Sequence, residues 1–178
     1  MKALVGLLVF GAVLVALQGA VASWLPVHWA PDLGLLGIVA LGLASRSIAL
    51  ALLSACCLGY FTDALSGSLL GQHALLRTLE LLVVLLAGRQ LSLRGGLPLA
   101  VFAACLTVGD ALAISGLTVF MSPAASLGLG VFWPLFPQLF VNALAAPLVV
   151  DLADRLAALL SDDEAKRLLH FDTRSFPA

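Results

Sequence analysis

Residues 59–75 read GYFTDALSGSLLGQHAL, and here polar chemistry breaks a chain made of long apolar runs. Asp63 stands near the end of one run, Ser66 and Gly67 interrupt it, and Gly71 and His73 open the next. An ionisable residue beside a tight polar turn is costly to place in lipid and marks a structural or functional role. The pattern predicts a helical hairpin with its turn at one membrane face.

Composition carries the reading outward from there. Of 178 residues, 62% are hydrophobic and 11% are charged, with a mean hydropathy of +1.12. Soluble domains carry about 25% charged residues, so a water-soluble fold of this length would leave far too much apolar surface uncovered. The chain reads as an all-α integral membrane protein. At roughly 20 residues per span, it has room for about six. The apolar runs place them near 3–23, 33–45, 47–65, 72–88, 97–120 and 131–153, forming one transmembrane domain over residues 1–155. Residues 156–178 are expected to be a short cytosolic tail. Within it, Ser161-Asp162-Asp163-Glu164 has capping-box spacing and predicts a separate helix over 162–170.

Met1-Lys2, an apolar run and Ala20-Val21-Ala22 imitate a signal peptide. The run continues to Ser23, long enough to span, so an uncleaved first helix is expected. In that helix Ala12, Ala16 and Ala20 recur every fourth residue, a small-residue stripe suited to close helix approach. Trp24, Pro26, His28, Trp29 and Pro31 then form an interfacial belt and turn. Asp32 precedes the second helix, where a carboxylate meets unpaired backbone N–H groups. That helix has only about 12 apolar residues, short for a full span. Either snorkelling ends complete it or it packs inside the bundle.

With Lys2 in the cytoplasm and six spans, every basic residue except Arg77 falls on the cytoplasmic side, so both termini are expected inside. The net charge of -1 says nothing about nucleic acid, and with the basic residues scattered singly no nucleic-acid partner is expected. Cys56, Cys57 and Cys105 lie in apolar runs and read as buried small hydrophobes rather than a disulfide or a metal set. There is no nucleophile elbow, phosphate loop, HExxH or CxxC, so neither catalysis nor a cofactor is expected.

Asp63, Arg77, Glu80 and Asp110 fall within the outer half of the membrane on this topology. His73, Arg77 and Glu80 are spaced by four and three and share a helix face. A lone arginine at that depth costs several kcal/mol, so a polar cluster of Asp63, His73, Arg77, Glu80 and Asp110 is expected. Asp63 is the anticipated counter-charge across the hairpin. Three carboxyls against one guanidinium leave excess negative charge, so one carboxyl, Glu80 or Asp110, is expected to hold its proton. Such a cluster serves either as a neutralised knot setting helix register or as an ion, ligand or proton site. In the sixth helix Gln138 and Asn142 are four apart and suit interhelical glue. Asp151, Asp154 and Arg155 read as a solvated helix end.

An ordered series of motifs resembles the rod shape-determining protein MreD family. It comprises Pro31-Asp32-Leu33 opening the second helix, Asp63-Ala64-Leu65-Ser66-Gly67, Gly71-Gln72-His73-Ala74-Leu75, Arg77-Thr78 and Leu86-Ala87-Gly88-Arg89. The match covers about 31–120, with Asp63, Ser66, Gly67, Gly71 and His73 as the motif hairpin. Glu80 departs from the family's pattern, which has a small or apolar residue there. The resemblance implies a fold similar to the six-helix substrate-binding components of energy-coupling factor transporters. It implies a non-enzymatic scaffold of the elongation machinery in the bacterial cytoplasmic (inner) membrane. Such a scaffold binds MreC and acts with RodA, the elongation transpeptidase and MreB in peptidoglycan synthesis and cell shape. The rival is a substrate-binding membrane component of a vitamin or small-molecule transporter. Short outer loops, Ser66–Gln72 and an Ala/Ser/Gly-rich segment after the fifth helix, favour the scaffold.

Overall fold

The computed structural model describes residues 2–24, 26, 29–45, 47–67, 70–91, 93, 95–121, 133 and 135–172, those at 2–4, 121 and 161–172 as backbone alone. Six helices follow in chain order: α1 (Lys2–Ala22), α2 (Leu33–Ala44), α3 (Ile48–Ser66), α4 (Gln72–Gln90), α5 (Gly96–Met121) and α6 (Leu135–Asp172). The expectations for His28, Arg46, Arg94 and the segment 122–132 fall outside the described residues, as do those for 173–178 and the side chains of Lys166 and Arg167.

α1, α3, α5 and the Leu135–Leu160 part of α6 are long and apolar enough to cross a membrane. Large apolar side chains cover their outer faces, among them Val5, Val9, Val13 and Leu17 in α1 and Phe140, Leu144 and Leu148 in α6. The chain is therefore a multi-pass, all-α membrane protein. α2 and α4 fall short of the same requirement for different reasons. α2 has 12 residues, a rise of about 18 Å against a hydrocarbon layer of about 30 Å. α4 carries Arg77, Glu80 and Arg89 within 19 residues.

Helix α2 takes the second of its two anticipated fates and becomes the centre of the bundle. Ten of its 12 residues are buried, with Leu35, Leu36, Ile38 and Val39 wholly enclosed. A helix apolar on every side belongs inside a bundle. The hairpin α3–α4 and the hairpin α5–α6 are the most extensive pairings. α2 lies between them, packed on α4 and α6 alike, and α1 lies over α2, α3 and α6. Lipid tails are as apolar as this core, so association rests on close van der Waals packing and polar contacts. α4 and α5 meet at few points, which leaves room between the two hairpins.

Two expectations are corrected. α6 runs unbroken to Asp172, so 162–170 is its end rather than a separate helix. From Leu148 to Asp172 the chain has neither Gly nor Pro and is rich in Ala and Leu, so nothing stops the helix. At roughly 57 Å α6 exceeds the hydrocarbon thickness, and the exposed Asp151–Arg155 pair (2.9 Å) marks where it becomes polar. The three cysteines are exposed on the outside of the bundle rather than buried. They sit on helices apolar all round, where hydrophobicity does not separate the inner face from the outer.

Candidate functional site

The motif hairpin is built around one carboxylate. α3 ends at Ser66 with Gly67 as its C-cap, in a left-handed conformation (φ 67°) that donates from its N–H to Asp63 O (3.1 Å). Gly71, also left-handed (φ 96°), is the N-cap of α4 and has no side chain to offer the free N–H groups behind it. Both positions require a residue without Cβ. Asp63 supplies the missing cap from across the turn. Its Oδ2 accepts from Gly71 N (2.8 Å) and Ala74 N (3.4 Å), and its Oδ1 accepts from His73 N (2.9 Å). Oδ1 also lies 2.8 Å from His73 Nδ1. A buried carboxylate is thus held by the positive end of a helix, a favourable place for it.

The two helices touch directly beneath this clasp. A Cβ added at Gly59 would lie 2.5 Å from His73 O and 2.7 Å from Ala74 N. Gly59 therefore sets the separation of α3 and α4 at the level where Asp63 must reach the first turn of α4.

Arg77, one turn further into α4, does not pair with Asp63. Its Nη2 donates to Asp32 Oδ2 (2.8 Å) and its Nη1 to Glu80 Oε2 (2.8 Å), while Asp110 Oδ1 lies 3.7 Å from Nη1. The anticipated counter-charge is corrected from Asp63 to Asp32, and the reason is geometric. α2 is too short to reach both faces, so its N-terminal Asp32 sits below the N-terminal end of α4, at the depth of Arg77. Asp32 also caps α2 as expected, accepting from Leu35 N through Oδ1 (2.9 Å).

Three polar residues from other helices complete the frame. Asn142 of α6 accepts from Asp32 N (2.8 Å) and donates to Thr107 Oγ1 of α5 (2.9 Å). Thr107 in turn donates to Ala103 O (2.9 Å). Gln18 of α1 accepts from Gly34 N (2.9 Å). Asn142 is the interhelical glue its spacing suggested, whereas Gln138 lines a cavity instead. The sequence signal for Asp32 was the brevity of α2. For Gln18 it was its standing as the lone strongly polar residue in the apolar run from Ala3 to Ala22. Thr107, which bonds like many helical threonines, gave no signal.

A cavity of about 420 Å³ lies among α1, α3, α4, α5, α6 and the N-cap of α2, above the Arg77 cluster and beside the hairpin. Most of the residues that line it are polar by type, among them Gln18, His73, Arg77, Asp110, Ser115 and Gln138. Around it Asp63, Arg77, Glu80 and Asp110 are all buried, so the structure gathers the expected cluster, divided into two. Asp63 and His73 form the clasp, and Arg77, Glu80 and Asp110 form an ion cluster with Asp32. The cluster is not fully paired. Arg77 Nε, Glu80 Oε1 and Asp110 Oδ1 are buried without a hydrogen-bond partner. Among the described residues, no three of His, Cys, Asp and Glu are placed to hold a metal ion.

In the first helix, Ala12 is half-buried while Ala16 and Ala20 are exposed, so the stripe faces out of the bundle along part of its length. No family model, curated protein or solved structure matches the chain.

Proposed function

We propose that this protein is a non-enzymatic membrane scaffold of the MreD type, presenting a rigid six-helix bundle to an MreC-like single-span partner in the cell-elongation complex. On this reading all six helices cross the bacterial cytoplasmic membrane, α2 and α4 sheltered inside a bundle similar to the energy-coupling factor substrate-binding fold. Both termini lie in the cytoplasm, and RodA, the elongation transpeptidase and MreB are partners at one remove.

The observation that carries this reading is how the motif residues are used. Asp63, Gly67, Gly71 and His73 satisfy one another within the hairpin. Asp32 of the Pro-Asp-Leu motif is joined to Arg77 of the Arg-Thr motif at 2.8 Å. Residues that bond mainly to each other build a fixed shape, which is what a scaffold needs. The outward Ala16 and Ala20 offer a partner helix a surface of close approach. The test is co-purification of the full chain with its MreC partner in detergent, together with depletion in cells. Stable retention of the partner and loss of rod shape are the expected results. A chain that releases MreC yet leaves cells rod-shaped on depletion sinks the scaffold reading.

The second reading, a substrate-binding component of a vitamin or small-molecule transporter, is favoured by the polar cavity of about 420 Å³, a volume within the usual range for ligand pockets. Nanomolar binding of a vitamin by the purified chain, without MreC retention, would establish it over the first.

A further inference from the structure

The ion cluster beneath the cavity is short of partners in a chemically specific way. Asp32, Glu80 and Asp110 face a single guanidinium, so negative charge is in excess. Two of the orphaned atoms, Glu80 Oε1 and Asp110 Oδ1, accept hydrogen bonds and call for a donor. The third, Arg77 Nε, donates and calls for an acceptor. Buried polar groups are nearly always satisfied, so three orphans in one cluster require an explanation. Arg77 is 2% exposed and Asp110 is 9% exposed, and both line the cavity.

A proton held between Glu80 and Asp110 would quiet the two carboxyl oxygens and do nothing for Arg77 Nε. A bare metal ion finds no three-ligand set among the described residues and also leaves the guanidinium donor unmet. A molecule that carries an ammonium group and an oxyanion a few bonds apart offers a donor to Asp110 and an acceptor to Arg77, the two residues with orphaned atoms that line the cavity. The cavity holds far more than one ion, and the partly exposed amides of Gln18 and Gln138 with the Ser115 hydroxyl offer bonds to the rest of such a molecule. α4 and α5 meet at few points, so the cavity is not closed off between the two hairpins.

We propose that this cavity is a binding site for a compact zwitterion, with its N–H-bearing ammonium against Asp110 and its oxyanion against Arg77. A phosphoethanolamine group has this chemistry, either free or as the headgroup of phosphatidylethanolamine. The inference rests on the cavity and its orphaned atoms alone and stands apart from either reading of the protein's function.

The experiment uses the purified full chain and compares ammonium groups with and without N–H. Equimolar phosphatidylethanolamine and phosphatidylcholine are offered in mixed micelles, and the lipid retained is read by native mass spectrometry. Retention of the ethanolamine lipid at least tenfold over the choline lipid is expected, because the trimethylated nitrogen has no proton to give Asp110. Asp110→Asn should abolish the preference while leaving the melting midpoint near that of the parent. Should Asp110→Asn fail to fold, Ser115→Leu fills the cavity without touching an ion pair and should abolish retention instead. Free phosphoethanolamine, titrated against phosphocholine in a thermal-shift assay, separates the sources. Stabilisation by the free compound identifies a soluble ligand, and retention of the lipid alone identifies a headgroup site. Equal retention of the two lipids with no response to free phosphoethanolamine overturns the proposal. So does a preference that survives both substitutions.

Discussion

Two charged clusters lie one helical turn apart on α4, and they are built to opposite standards. In the hairpin clasp, the Asp63 carboxylate receives three backbone N–H groups and lies against the His73 ring. In the ion cluster, Arg77 shares Nη1 between Glu80 at 2.8 Å and Asp110 at 3.7 Å, and three buried polar atoms stay unmatched. Burial alone does not separate them, since both are almost wholly enclosed. The difference is satisfaction. A closed network fixes helix register, whereas an open one at a cavity wall keeps bonding capacity for something that enters. Stability is therefore expected to concentrate in the clasp and in the Asp32–Arg77 pair, and binding capacity at Asp110.

The sharpest way to break that contrast is Arg77→Met. It strips the only guanidinium from three buried carboxyls and should cost about 3–5 kcal/mol, the penalty for leaving buried charges without a partner. Chemical unfolding in detergent would measure it, and a variant as stable as the parent would show that the cluster holds nothing together. Asp63→Ala follows at about 3 kcal/mol, since it orphans several buried donors at once. Asp63→Asn keeps an acceptor for the N–H groups and should lose roughly 1 kcal/mol. Equal losses in the two variants would mean that charge, not capping geometry, governs the clasp.

Gly59→Ala probes the same hairpin by shape. Its new Cβ meets the backbone of His73 and Ala74, which cannot swing aside like a side chain, so α3 and α4 must part. A loss of about 2 kcal/mol is expected, within the range of overpacked sites, visible as a lower melting midpoint. The smallest effect is assigned to Asp110→Asn. Its ion contact is long and Oδ1 makes no hydrogen bond, so the fold should change by less than about 1 kcal/mol. If Asp110→Asn proves as damaging as Asp63→Ala, the open cluster is as structural as the closed one.

Much of the fold was legible because lipid imposes simple rules. Apolar runs long enough to span the hydrocarbon layer located α1, α3 and α5, and Ser66 to Gly71 located the turn between α3 and α4. The shortness of α2 and the capping role of Asp32 were also readable, since twelve apolar residues and a carboxylate at their start are local facts. The outward cysteines were not, because Cys56, Cys57 and Cys105 lie on helices whose hydrophobicity is the same on every side. The continuity of α6 was hidden by Ser161-Asp162-Asp163-Glu164, a start signal that a strong helix-forming context overrode.

By itself, the amino-acid sequence determined that this is an all-α membrane protein, that polar residues gather near the α3–α4 hairpin, and that one arginine there needs carboxylate company. Only the tertiary structure decided which carboxylates. Of the carboxylates on other elements, Asp63 is closest to Arg77 along the chain, yet the bare N-terminus of α4 captures it first. Asp32, 45 residues away in sequence, is delivered to the guanidinium because a 12-residue helix buried at the centre of the bundle starts at Arg77's depth. Sequence spacing specifies neighbours on one helix, while partners on different helices depend on where each helix begins within the bundle, a property of the packing as a whole.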